Sequence, residues 1–187
     1  ENLALSVRPC PSYQDKSASL NRLVSSCPTG AIVVYCATRR TVEEVAGTLR
    51  HSHQSVGYYH AGLSDEERKL LHENFRRGAI RVLVATNAFG MGIDKADVRL
   101  VVHFDIPGSL EAYYQEAGRA GRDGQPASCV LLFHERDLST QEYFIDQASR
   151  DHNNTDRADR MKTLLAEMMA YVSTTTCRQL AILRYFS

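Results

Sequence analysis

Residues 31–49 read Ala-Ile-Val-Val-Tyr-Cys-Ala-Thr-Arg-Arg-Thr-Val-Glu-Glu-Val-Ala-Gly-Thr-Leu. The first six are almost continuously apolar and rich in β-branched side chains, the pattern of a strand covered on both faces. Thr41 followed by Glu44 then predicts a capping box, ahead of Val42, Val45, Ala46 and Leu49 at helical spacing. Strand followed by helix is the repeating unit of a parallel sheet, and the unit recurs along the chain. Further apolar runs lie at Ser55–His60, Arg81–Thr86, Leu100–Ile106 and Cys129–Phe133. Ser64 with Glu67 repeats the capping device before Leu70, Leu71 and Phe75, and Gly78 marks that helix's end. Pro107-Gly108-Ser109 opens a third helix, running to about Gly118. Strands alternating with helices predict an α/β fold, a parallel sheet flanked by helices, with ligands at the strands' carboxyl ends.

Beyond Phe133 the pattern changes. Residues 136–147 predict one more helix, and Ser-Arg-Asp-His-Asn-Asn-Thr-Asp at 149–156 is polar and linker-like. Arg157–Val172 carries Met161, Leu164, Leu165, Met168 and Val172 on one face, and another helix begins at Cys177 and runs to Phe186. The expected division is a sheet domain over 1–148, a linker over 149–156 and a helical module over 157–187. The chain of 187 residues opens at Glu1 without an initiator Met and closes at Ser187 inside an amphipathic pattern. It is therefore expected to be an excised piece of something longer, with the helical module truncated.

Composition removes several classes. Hydrophobic residues make up 43% and charged residues 24%, which excludes a disordered, highly charged chain. No apolar run approaches the roughly 20 residues of a membrane span, so no membrane partner is expected. Five cysteines, an odd number without a Cys-x-x-Cys pair, argue against a disulfide framework and for a reducing compartment. Lys+Arg and Asp+Glu balance at 22 each, so any nucleic-acid surface must be a local basic rim rather than whole-domain basicity.

The chemistry concentrates between Val82 and Gly124. The strand ending at Thr86 runs into Asn87-Ala88-Phe89-Gly90-Met91-Gly92-Ile93-Asp94-Lys95, a Gly-rich turn whose backbone N–H groups suit phosphate. Lys95 stands where a dinucleotide fingerprint needs its third glycine. Further on come Gln115-Glu116-Ala117-Gly118-Arg119-Ala120-Gly121-Arg122-Asp123-Gly124. Two arginines three residues apart share one side of a helical turn, and guanidinium forks match phosphate oxygens. No Gly-Lys pair exists for a Walker A loop, so the chain offers phosphate-facing arginines without a phosphate cradle. It has the look of half a site.

These stretches resemble the second RecA-like lobe of superfamily 2 helicases and, within that group, the RecQ DNA helicases. The likeness rests on 32–39, on Tyr59-His60-Ala61-Gly62-Leu63, on 85–95, on 98–107 and on 115–124, and it resumes at Thr176-Cys177-Arg178. The resemblance implies that Arg122 is an arginine finger reaching a γ-phosphate held by a first lobe, with Arg119 supporting it and Gln115 positioning the helix. It implies Asp94 and Gly92 at the nucleotide, and Thr38, Arg39, His60, Thr86 and Asn87 on the backbone of single-stranded DNA. It implies ATP and Mg2+ bound through the first lobe, DNA and that lobe as partners, and 3′-to-5′ movement in DNA repair or recombination. Cys177 matches one of four zinc ligands, so zinc is expected in a longer protein and not here, with Leu180, Leu183 and Phe186 poorly buried. The expected compartment is the cytoplasm of a bacterium or the nucleus of a eukaryote.

Other functions remain to be weighed. A cysteine phosphatase needs Arg six positions after Cys36, where Val42 stands. A nucleotide-binding adaptor that never hydrolyses ATP and an RNA helicase lobe both stay open. Tyr58 and Tyr59 are expected to pack the strand rather than stack bases, and Arg122 is expected to face the rim of strand ends.

Overall fold

A computed structural model describes residues 2–53, 55–89, 95–150 and 155–187. Six strands form one sheet: β1 Leu3–Pro9, β2 Ala31–Tyr35, β3 Val56–Tyr59, β4 Val82–Ala85, β5 Val98–His103 and β6 Ala127–Phe133. Their order is β1-β6-β5-β2-β4-β3, and every pairing is parallel. The expected five strands are present. The sixth, β1, is not evident from the pattern because it lies at an edge and is only half-buried along its length.

Helices α1 Tyr13–Ser26 and α2 Arg39–Arg50 cover one face, where Leu20, Val24, Val42 and Leu49 meet Ile32, Val34 and Val102. The other face carries α3 Asp65–Arg77, α4 Leu110–Ala117, α6 Thr155–Ser173 and α7 Arg178–Tyr185. There Phe75, Tyr113, Met168, Tyr171 and Ile182 join Val33, Leu83, Val101 and Leu131 in one core. The C-terminal helices thus share the sheet's own core. α5 Asp137–Arg150 lies between β6 and α6 in the chain.

The helix starts follow hydrogen-bond chemistry. Ser64 and Glu67 form the full capping box expected of them, and α3 ends on left-handed Gly78. In α2 the cap falls three residues earlier than expected. Extended Thr38, not Thr41, accepts the Thr41 N–H at 3.1 Å, so the helix begins at Arg39.

Between α1 and the carboxyl ends of the strands lies a buried cation. Lys16 Nζ is 2.7 Å from Asp137 and 3.3 Å from Asp105, and sits 4.6 Å from the centre of the Phe104 ring. Asp105 in turn accepts the Ala37 N–H at 2.8 Å, and Asp137 accepts the His134 N–H at 3.2 Å. Burial pushes the Asp137 carboxyl up, against the pull of the lysine. Replacing Lys16 by Ala would leave two carboxylates facing each other away from water. The expected loss is about 3–5 kcal/mol of unfolding free energy, read by urea denaturation.

Candidate nucleotide and nucleic-acid site

In a parallel sheet each helix must carry the chain from the carboxyl edge back to the amino edge. This separates the candidate residues into two groups. Thr38, Arg39, His60, Thr86 and Asn87 follow the ends of β2, β3 and β4 and line the carboxyl rim. Arg122 lies where the chain beyond α4 has returned to the amino edge, with Gln115 and Arg119 on the way there.

At the rim, the Thr38 hydroxyl is engaged in capping α2 and lies 2.8 Å from the Thr41 hydroxyl. Arg39 is exposed on the first turn of α2. His60 is buried, with both ring nitrogens used: Gly62 N–H donates to Nδ1 at 3.2 Å, so Nε2–H faces Glu43 at 3.0 Å. A Cβ on Gly62 would lie 3.1 Å from Arg39 Nη1 and 3.2 Å from His60 Nδ1, so the bare glycine lets these cationic and imidazole groups converge. Thr86 is buried and its N–H bonds Tyr59 O at 3.1 Å, whereas Asn87 is exposed. Tyr59 packs on Phe89 with ring centres 4.6 Å apart, and Tyr58 lies beside Arg50, the packing roles expected of them. Gly92 and Asp94 lie outside the described residues.

The arginine turn is pinned through its backbone. Ser109 caps α4 by accepting the Ala112 N–H. Gly121, at φ +65°, donates to Val98 O at the start of β5 at 2.9 Å, and its carbonyl accepts from Asn2 Nδ2 at 2.7 Å. A Cβ there would come within 2.5 Å of that amide and 2.9 Å of Gln125 O, so the turn requires glycine. Asp123 is paired with Arg99, which holds its carboxyl below the usual range. Arg122 is exposed, with Nε 3.4 Å from Gly118 O, and Gln115 is exposed on the last turn of α4.

One expectation is therefore corrected. Arg122 does not face the rim of strand carboxyl ends; its turn is fixed at the opposite edge, because α4 runs antiparallel to the strands. Arg119 is better hidden. Its Nε is buried without a hydrogen bond, and its positive charge lies beside the phenol of Tyr35 at the end of β2. Burial pushes that phenol up, and the guanidinium opposes the shift.

Two residues of these same stretches, His103 and Glu116, were not singled out by spacing or residue type. His103 closes β5 and is fully buried, with Nε2 2.9 Å from the Glu116 carboxylate on α4. Its Nδ1 lies 3.7 Å from Cys129 Sγ, which also lies 3.7 Å from the Tyr113 hydroxyl. Tyr171 of α6 donates to Tyr113 at 3.1 Å and completes the network. Burial alone would lower the imidazole's pKa; the Cys129 sulfur and the Glu116 carboxylate outweigh it and lift it from 6.5 to about 9. Tyr35, Asn87, His103 and Glu116 line a cavity of about 630 Å³ between the rim and α4.

Cys177 is exposed immediately before α7 and makes no capping hydrogen bond. Among the described residues no three His, Cys, Asp or Glu side chains gather as metal ligands. A structural zinc site takes four, so Cys177 with its present neighbours does not fit one. Leu180, Leu183 and Phe186 are exposed, as expected, while Ile182 between them is buried.

The helicase conserved C-terminal domain family matches residues 15–124, and the RecQ zinc-binding family matches residues 135–187. The chain belongs to the RecQ-type helicase C-terminal lobes. It is 41% identical to the ATP-dependent DNA helicase RecQ of Bacillus subtilis, over 92% of this chain and 29% of that protein. It is 38% identical to a putative ATP-dependent RNA helicase of Acanthamoeba polyphaga mimivirus, over 99% of this chain and 33% of that one. The lobe thus spans about a third of the length of these curated relatives. Dbp5 of S. cerevisiae, solved bound to RNA and ADP BeF3, superposes with a TM-score of 0.65 at 27% identity, covering 87% of this chain and 45% of that one. Such neighbours identify the sheet and its helices as a RecA-like helicase lobe. No described helix of it is long and apolar enough to cross a membrane.

His103, held beside Cys129 and Glu116, sets a pH dependence. A folded pKa of about 9 against 6.5 means the stabilisation is complete below pH 6.5 and is lost as pH rises through 9. The lobe's thermal midpoint is expected to fall across that window, and the fall is expected to be shallower in Glu116→Gln. An unchanged slope in the variant would remove Glu116 as a contributor and leave Cys129.

Proposed function

We propose that this lobe acts with a nucleotide-holding first lobe as an ATP-dependent DNA helicase of RecQ type, moving 3′ to 5′ in DNA repair or recombination. The observation that carries the reading is the arginine turn: Gly121's bonds to Val98 and Asn2 fix it, and Arg122 stands exposed near the half-buried Arg119. A cation on a rigid mount is prepared for a phosphate that arrives from outside the lobe, since preorganised charge needs no reorganisation when negative charge develops. Arg122 is the finger, Arg119 holds the turn against the sheet face, and Gln115 orients the end of α4. ATP is the substrate; its magnesium would be held with it by the first lobe, and no carboxylate cluster of the described residues gathers to hold it.

The rim supplies the strand track. Arg39, Asn87 and the backbone around Gly62 face solvent at the strand ends, suited to phosphate contacts that position a strand without reading its sequence. Separate placement of the track and the finger suits a motor. Closure on the nucleotide at one edge can then shift a strand held at the other. The nucleus or the bacterial cytoplasm is the compartment such an activity needs.

RNA is the second reading, supported by the mimivirus relative, named as an RNA helicase, and by the RNA in the Dbp5 structure. The match to the RecQ zinc-binding family over residues 135–187 favours DNA.

In a protein carrying both lobes, Arg122→Ala is expected to lower ATP hydrolysis by about 10³–10⁵ while ATP binding is roughly unchanged. Hydrolysis at the parental rate would withdraw the finger assignment. Stimulation by single-stranded DNA over RNA of equal length decides between the two polymers. The isolated lobe is expected to hydrolyse no ATP.

A further inference from the structure

We propose that Glu116 and His103 form a positioning pair that fixes the orientation of the arginine-bearing end of α4, with Tyr35 carrying the constraint to Arg119. The proposal rests on the reading that Arg119 and Arg122 meet a nucleotide's phosphates.

Glu116 lies three residues before Arg119, and the Arg119 N–H bonds its carbonyl at 3.2 Å. Its carboxylate meets His103 at 2.9 Å, on a ring with no exposure to solvent. The same ring stacks on Tyr35, centres 5.6 Å apart and planes 24° apart, and lies 4.8 Å from Tyr113 of α4. Tyr35 in turn has the Arg119 guanidinium beside its hydroxyl. The path Glu116–His103–Tyr35–Arg119 therefore leaves α4, crosses the ends of β5 and β2, and returns to the arginine turn. Two residues beyond His103, Asp105 holds the Ala37 N–H at 2.8 Å, next to Thr38 and Arg39. The end of β5 thus grips both the rim loop and the arginine helix.

Stability alone does not call for this arrangement. A buried ion pair is often no better for folding than apolar groups of the same volume. What a directional bond adds is a fixed rotation of α4 about its axis, which apolar packing leaves looser. A helix turned by a few degrees would swing the guanidiniums away from a bound phosphate, and a misplacement near 1 Å costs catalysis about 10²-fold.

The test uses a protein with both lobes and reads DNA-stimulated ATP hydrolysis. Glu116→Ala is expected to lower kcat by about 10–100-fold with KM for ATP and DNA affinity little changed. Glu116→Gln, whose amide oxygen can still accept from His103 Nε2–H, is expected to recover most of the loss. Combining Glu116→Ala with Arg122→Ala should cost less than the product of the two single losses, because both changes act through the same arginine turn. A full additional loss in the double variant, or a kcat for Glu116→Ala at the parental level, overturns the proposal. If Glu116→Ala does not fold, His103→Asn carries the same comparison. The two readings fail separately: an active Arg122→Ala removes the finger itself, whereas an inactive Arg122→Ala beside a fully active Glu116→Ala removes only the positioning pair.

Discussion

Six strands running the same way impose one constraint on everything else: each leaves the sheet at one edge, and the chain must cross a face before the next can begin. Side chains just after a strand gather on the carboxyl rim, and side chains at the end of a helix gather on the amino edge. Residues 36–39, 60–62 and 86–87 belong to the first set, and residues 121–124 to the second. The lobe consequently presents two chemically distinct borders joined by a rigid slab about five residues deep. Communication between them must pass through the slab, and the buried polar groups at the end of β5 are where it can.

Those polar groups occur on both faces. Lys16 between Asp105 and Asp137 serves the α1–α2 side, and His103 with Glu116 serves the α4 side. Each pair is costly to bury and is repaid only through tight geometry. Both grip residues of the short stretch His103-Phe104-Asp105, while Phe104 itself is fully buried. A stretch noticed in the sequence for its resemblance alone thereby acquires a mechanical reason for its composition.

Much of the fold was legible because central strands advertise themselves. β2 and β4 are buried at every position, so their apolar runs are unbroken. β1 escaped because an edge strand alternates weakly, and Leu3–Pro9 mixes Ser6, Arg8 and Pro9 with apolar residues. α1 escaped with it, since Lys16 sits among its buried positions and interrupts the apolar stripe. The cap of α2 was misplaced because Thr38 and Thr41 are the same residue type, and only the extended backbone of Thr38 distinguishes them. At the site, residue types revealed the arginines and the rim. Their distribution over opposite edges was not legible, since it depends on where α4 ends. The role of His103 was hidden for a related reason: its partner lies thirteen positions away and meets it only across the packed helix.

The clasp formed by Asn2 has a practical side. Its amide holds the Gly121 carbonyl, its own carbonyl accepts the Ala127 N–H, and Gln179 of α7 donates to Leu3 O beside it. Yet the two family matches begin at residue 15 and end at 124, then resume at 135, so Asn2, Leu3 and Ala127 belong to neither. A cloning boundary drawn from the family matches alone would trim away the first strand. The product would keep every recognisable motif and lose the fastening that keeps the arginine turn in place.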